Sequence, residues 1–182
     1  MLPAPGEVLH FSEDPTITRF APRVAATAQQ PEAYVWAVDA ARAPDYWFPR
    51  QCPRAMAWTV SGTTEADRSW LGGSRVHAIE YGWLAALQSV RLYAYRFAAS
   101  SFRSFGEHAH AMVATAPVSP LGLPEPVGDL LALHEEAGIE LRVLPNLWGF
   151  VDAVSASSLG FSGIRLRNAR PRGLRANPAR RD

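Results

Sequence analysis

The chain has 182 residues, a formal net charge of +1, 48% hydrophobic residues and six tryptophans. This length suits one ordinary domain, and the composition is too apolar and too aromatic for a disordered chain. All 18 basic residues are arginines, which we attribute to a GC-rich coding genome rather than to a phosphate-binding surface. We therefore expect one globular domain over residues 1–169.

The single cysteine, Cys52, excludes an intrachain disulfide and indicates a reducing compartment. The first residues, MLPAPGEVLH, lack the basic and apolar regions of a signal peptide, and no apolar run approaches the ~18 residues of a membrane helix. We expect a cytoplasmic protein that does not contact a membrane.

Hydrophobic alternation predicts about seven short strands, at 7–12, 33–38, 55–60, 74–81, 89–97, 107–118 and 139–144. Helical patterns and capping residues predict five modest helices, after Asp39 and near 63–71, 82–88, 126–138 and 146–159. In the fourth of these, Pro126 suits the first helical position. Because strands dominate the middle of the chain, the pattern predicts an α+β fold with mixed and antiparallel strands.

Residues 170–182 are rich in arginine, proline and glycine and predict a flexible basic tail. Such tails are usually solvated. A nucleic-acid contact is the less favoured interpretation.

The first candidate functional residue is His10, at the end of the apolar strand EVLHFS. A side chain at a strand end is rigidly placed and still reaches solvent, which suits a binding or catalytic role. The competing interpretation is a histidine satisfied by backbone groups. The following Ser12, Glu13 and Asp14 suit turn formation better than acid–base chemistry.

A second candidate segment is DYWFPRQCPR, at 45–54. Tyr46 beside Arg50 and Arg54 suits a site that stacks a base or nicotinamide while contacting phosphate. Trp47 is more simply a core residue. Cys52 lies between two arginines, which would favour its thiolate, but no base is spaced to activate it, and we interpret it as structural.

A third candidate is the pair His108 and His110, which alternation places on one face of a strand. This spacing fits two metal ligands, with His10, His77 or Glu107 as the third. A solvent-facing pair is the commoner outcome, so no metal site is assigned. Glu107 is also a candidate acid or base.

Glu80 is a further strand carboxylate that suits acid–base chemistry, and its alternative is an exposed strand face. The sequence contains no Walker loop, GxGxxG, GxSxG, HExxH or CxxC motif. The sequence therefore gives no support to the common classes of phosphate-binding proteins and hydrolases.

Several segments together resemble a family of small uncharacterised bacterial proteins, a domain of unknown function, over roughly residues 8–169. They are LHFSEDPTITRFAPR, VWAVDAARAPDYWFPRQCPR, AIEYGWL, LYAYRF, PVSPLGLPEPVGDLL, GIELRVLPNLW and FSGIRLRNA. The resemblance implies no established activity.

A strand ending in His10, followed by VWAVDAARAPDYW and a late strand, is also similar to the ADP-ribosyltransferase and RNA 2'-phosphotransferase fold. That resemblance implies a split sheet with helices at its sides, His10 on a ribose hydroxyl and Tyr46 on nicotinamide. A late-strand glutamate often aligns the ribose in that fold. Here either Glu107 takes that role from a position too near the strand start, or His110 stands in its place, and both are departures from the pattern of that fold.

The leading hypothesis is a cleft that binds a nucleotide-like or ribose-phosphate ligand and is lined by His10, Tyr46, Arg50, Arg54 and His110. An NAD-like nucleotide is the candidate cofactor, and the reaction would be ribosyl or phosphoribosyl transfer.

Two alternatives remain open. One is a metal-dependent hydrolase that uses His108 and His110, with Glu107 as general base. The other is a non-catalytic interaction module whose basic tail recruits an acidic partner. The sequence predicts no oligomeric state.

Overall fold

The computed structural model describes residues 1–24, 32–106 and 111–172. The chain forms two compact units: unit 1 comprises Met1–Arg50 and Ala85–Gly138, and unit 2 comprises Gln51–Leu84 and Ile139–Asp182. Both contain short strands and helices, which confirms the predicted α+β class. The assignment of residues 1–169 to one domain and of 170–182 to a tail stays a prediction.

The strands in the described ranges are, in chain order, β1 (Glu7–Ser12), β2 (Val35–Ala37), β3 (Arg54–Trp58), β4 (Arg75–Glu80), β5 (Tyr93–Ala98), β6 (Arg103–Phe105), β7 (Ala111–Ala114), β8 (Glu125–Pro126), β9 (Glu140–Leu144) and β10 (Gly160–Ile164). The α-helices there are α1 (Glu65–Leu71), α2 (Leu84–Ser89), α3 (Leu130–Glu136) and α4 (Trp148–Ser155). Short 3₁₀ helices lie at Ala43–Tyr46, Tyr81–Trp83, Ala99–Ser101 and Leu166–Asn168. In this part of the chain, no helix is long and apolar enough to cross a membrane.

Two antiparallel three-stranded sheets build unit 1, in the orders β1-β5-β8 and β2-β7-β6. The register of β1 and β5 places Val8 opposite Phe97 and His10 opposite Tyr95. Val8, Phe97 and Tyr95 pack with Phe20 in a buried cluster, to which β2 and β7 also contribute. His10 therefore leaves β1 on the side of an aromatic core.

The mixed sheet of unit 2 has the order β10-β3-β4-β9, in which β4 and β9 are parallel and the other pairs antiparallel. Small residues of β3 and β4 alternate toward one face, where they pack under α4. The face buries Ala55, Ala57, Val76 and Ala78. Small side chains there allow a helix to approach the sheet closely.

Local sequence signals locate α1 well. The Thr64 side chain accepts a hydrogen bond from the Asp67 N–H (3.2 Å), and Gly72 ends the helix with φ of 79°. The helix predicted to begin at Pro126 is wrong at its start, because Pro126 lies in β8 opposite Tyr93. Asp129 caps α3 instead, accepting from the N–H groups of Leu131 (2.8 Å) and Ala132 (3.2 Å).

Gly160 fits its position in β10 because it has no side chain. It lies opposite Trp58 of β3, and a Cβ atom at residue 160 would overlap the Trp58 indole, with Cε2 only 2.6 Å away. We expect Gly160→Ala to lower the free energy of unfolding by about 1–3 kcal/mol, measured by urea denaturation. Gly62→Ala is the matched control, because a Cβ there would contact nothing within 4 Å. Equal midpoints for the two variants would contradict this assignment.

Candidate functional site

His10 is held in one orientation and one tautomer. Its Nδ1 lies 2.7 Å from the carbonyl oxygen of Trp36 on the neighbouring strand. A carbonyl oxygen only accepts hydrogen bonds, so Nδ1 donates and Nε2 is the acceptor of the neutral ring. Within the described ranges, Nε2 has no hydrogen-bond partner. The imidazole can therefore accept a proton donor such as a hydroxyl group.

The surroundings of His10 keep its ring neutral. The Phe20 ring lies 4.9 Å from the imidazole, centroid to centroid. Burial lowers the pKa of His10 to about 4, and the positive charges of Arg50 and Arg23 act in the same direction. His10 is thus uncharged at neutral pH and carries its single ring proton on Nδ1.

Two arginines, Arg23 and Arg50, act electrostatically on His10. Arg23 forms an isolated antiparallel bridge with Tyr34, with backbone bonds of 3.2 and 3.1 Å. Arg50 is held through its backbone N–H, which donates to Glu13 Oε1 at 2.8 Å. Both residues are exposed, and neither guanidinium has an ion-pair partner among the residues that the structure describes. The surface around His10 is therefore suited to an anion.

The acidic pair after β1, Glu13 and Asp14, forms hydrogen bonds that stabilise the turn and hold it to the rest of unit 1. Asp14 Oδ1 accepts from the Thr16 N–H (2.8 Å) and hydroxyl (2.6 Å), and these bonds hold the pKa of its carboxyl below the usual value. The Tyr95 hydroxyl donates to the Asp14 carbonyl at 2.6 Å and accepts from the Ile17 N–H at 3.1 Å. The predicted turn role is confirmed, and these contacts fix the chain that leaves His10.

The other predicted site residues of the segment 45–54 lie in different settings. Tyr46 ends the 3₁₀ helix Ala43–Tyr46 and is partly buried, while Trp47 is a core residue as predicted. Arg54 belongs to unit 2, where it is 3% exposed and donates from Nη1 to the Cys52 carbonyl at 3.0 Å. The ligand-binding roles of Arg54 and Tyr46 stay predictions.

Cys52 is a fully buried thiol. Burial raises its pKa to about 12, although the neighbouring Arg54 opposes that shift. Arg54 favours the thiolate as expected, but burial outweighs it, so the expected lowering of the Cys52 pKa is wrong. The structural role is the better interpretation.

Glu107, His108 and His110 lie outside the described residues, so the hypotheses that give them catalytic or metal-binding roles stay predictions. In the described ranges, no three His, Cys, Asp or Glu residues are arranged to hold a metal ion.

Glu80 is 2% exposed, so the alternative interpretation of it as part of an exposed strand face is wrong. Its carboxylate ends β4 and accepts hydrogen bonds from the backbone N–H groups of Leu147 and Arg170. Both partners belong to unit 2. Glu80 thus anchors backbone, and acid–base chemistry is not supported for it.

Sequence reasoning missed two residues that contact His10, Phe20 and Trp36, and one that acts on it electrostatically, Arg23. Phe20 is brought there by a bridge to Val118, with N–O distances of 2.8 and 2.9 Å. Trp36 contributes its backbone carbonyl, which has no sequence signature. A charged residue within ITRFAPR was the one available signal, and it pointed equally to Arg19 and Arg23.

The fold and this site define a small α+β protein with a neutral, oriented histidine on which two exposed arginines, Arg23 and Arg50, act electrostatically. Residues 9–169 match the profile described as Family of unknown function (DUF6886), and the chain belongs to that family. A search of curated proteins and of solved structures found no match.

Proposed function

We propose that unit 1 binds a nucleotide-like or ribose-phosphate ligand at His10. The observation that carries this proposal is the neutral His10 ring, whose Nε2 acceptor lies within the electrostatic reach of Arg23 and Arg50. A ligand that matches this pair of features carries both a hydroxyl donor and an anionic group.

A ribose hydroxyl fits the histidine side of the site. The Nδ1 bond to the Trp36 carbonyl prevents the ring from rotating its donor toward a ligand, so Nε2 meets the ligand as an acceptor. Because burial keeps the imidazole uncharged, this side favours a hydroxyl over a second anion.

Phosphate fits the arginine side. Guanidinium groups bind phosphate oxygens through paired, charge-assisted hydrogen bonds. Arg23 and Arg50 are exposed, and their guanidinium groups form no ion pair with the described residues, since Glu13 contacts Arg50 only at its backbone N–H.

The reaction we propose is ribosyl or phosphoribosyl transfer, with His10 orienting a hydroxyl, Tyr46 stacking on a base and Arg50 neutralising phosphate. Its support is the sequence resemblance described above together with the acceptor geometry of His10. An NAD-like nucleotide is the corresponding donor.

Isothermal titration with ADP-ribose tests the binding proposal, with adenosine and inorganic phosphate as partial ligands. We expect ADP-ribose to bind more tightly than either part, and Arg50→Ala to weaken ADP-ribose binding about tenfold or more, because a charged hydrogen bond is lost. Tyr46→Ala and His10→Asn should each weaken it as well.

Arg68→Ala is the matched control. It removes the same charge from α1 of unit 2, and Arg68 is not among the cations that act on His10. Its affinity should equal that of the unmodified protein. Absence of ADP-ribose binding, or equal losses in Arg50→Ala and Arg68→Ala, would overturn the proposal.

A further inference from the structure

A short surface segment of unit 2 is held by side chains at every one of its three residues. This segment, Arg170–Arg172, is called the strap here. The strap is exposed, and its sequence is Arg-Pro-Arg. The side chains that contact it come from the end of β4, from the loop just before α4 and from α4 itself: Glu80, Asn146, Trp148 and Asp152. We call this set the strap site.

At the first two residues, the strap site contacts the strap through its backbone. Both oxygens of the buried Glu80 carboxylate accept from the Arg170 N–H, at 3.1 and 3.0 Å. The Trp148 indole N–H donates to the Arg170 carbonyl at 2.6 Å, and the Asn146 amide donates to the Pro171 carbonyl at 3.4 Å. These contacts would fit any extended segment that offers a backbone N–H at its first residue.

The third strap residue is recognised through its side chain. The Arg172 guanidinium lies over the Trp148 ring, 4.4 Å from its centroid, and pairs with Asp152 at 2.9 Å. Trp148 and Asp152 are four residues apart on α4, so they lie on one face of the helix. Stacking combined with a planar ion pair favours arginine over lysine at this position.

Proline suits the middle position. Pro171 has no N–H that would need an acceptor, and proline favours the extended conformation in advance. The three positions therefore require three different features: a backbone N–H, an extended backbone that proline can adopt, and an arginine side chain.

We propose that the strap site is a recognition site for extended Arg-Pro-Arg segments of other protein chains, and that the strap occupies it as a tethered competitor. The strap is exposed at all three residues, and its contacts are mainly polar, so little apolar surface opposes its release. A tethered segment has an effective concentration on the order of 1 mM, which hides the site from weak external ligands. A substitution that weakens the binding of the strap should therefore open the strap site to external ligands.

The test uses the full chain and an acetylated peptide Asn-Ala-Arg-Pro-Arg, which copies residues 168–172. The readout is the Trp148 indole N–H signal in a nitrogen–proton correlation spectrum, assigned by its loss in Trp148→Phe. In Arg170→Pro the N–H that binds Glu80 is gone, so the strap should leave and the Trp148 signal should move.

Added peptide should return that signal toward its original position, and it should bind Arg170→Pro at least tenfold more tightly than the unmodified chain. A control peptide with glutamate in place of the last arginine should bind at least tenfold more weakly, because Asp152 would repel it. If the peptide binds both proteins equally, binds neither, or binds independently of its last residue, the proposal fails.

A second variant keeps the test decisive if Arg170→Pro does not fold. Arg172→Glu changes only an exposed side chain and places a carboxylate opposite Asp152. It should also increase peptide affinity relative to the unmodified chain. An unchanged affinity in a folded Arg172→Glu protein would likewise overturn the proposal.

Discussion

Replacing Glu80 with alanine is expected to lower the free energy of unfolding by about 3 kcal/mol, one of the two largest effects we predict. The substitution removes the acceptor of two backbone N–H groups, of which that of Leu147 is buried and that of Arg170 lies on an exposed residue. A buried donor left without an acceptor costs about 1–3 kcal/mol. The loss should appear as a lower midpoint of urea unfolding monitored by circular dichroism.

Glu140→Ala is the matched control for this prediction. Glu140 begins β9, which pairs with β4, but its side chain is 48% exposed and its ion pair with Arg142 lies at the surface. Exposed ion pairs contribute about 0–1 kcal/mol. Glu80→Gln keeps one acceptor oxygen and should fall between the two. If Glu80→Ala unfolds at the same midpoint as Glu140→Ala, Glu80 does not anchor the chain.

Elements with strong local signals could be predicted from the sequence. Helix α1 has its cap at Thr64 and its terminating Gly72 within nine residues, and β1 shows a clear apolar run. Strand β10 lacks such signals, because GFSGI contains two glycines and is a strand only through its pairing with β3, about a hundred residues earlier. Strand β8 has two residues, too few for any periodicity to register.

For the candidate site too, the sequence predicted the features that depend on local residues and not those that depend on distant contacts. An apolar strand followed by turn residues identified His10 and the role of Asp14, although His10 lies within β1, two residues before its end. The tautomer of His10 depends on a carbonyl 26 residues away, and the burial of Glu80 depends on partners 67 and 90 residues away. Such contacts form only when distant segments of the chain pack together, so neither residue type nor spacing predicts them.

The other large predicted effect is a pH dependence of stability that originates at His10. An unfolded histidine has a pKa near 6.5, and burial lowers that of folded His10 to about 4. Between these values the unfolded chain binds a proton that the folded chain does not. The free energy of unfolding therefore falls as the pH decreases from about 6.5 to about 4, by up to about 3 kcal/mol from this residue.

His10→Asn isolates this contribution. Asparagine can still donate to the Trp36 carbonyl, but it does not titrate, and the remaining histidines contribute equally to both proteins. We subtract the unfolding free energy of His10→Asn from that of the unmodified protein, both measured by urea denaturation. This difference should be constant above about pH 7 and decrease steadily toward pH 4, because only the unmodified protein loses stability through residue 10. A difference that does not change with pH, or an NMR titration of folded His10 with a midpoint near 6.5, would show that the ring is solvated. It would also remove the neutral acceptor on which the proposed ribose contact depends.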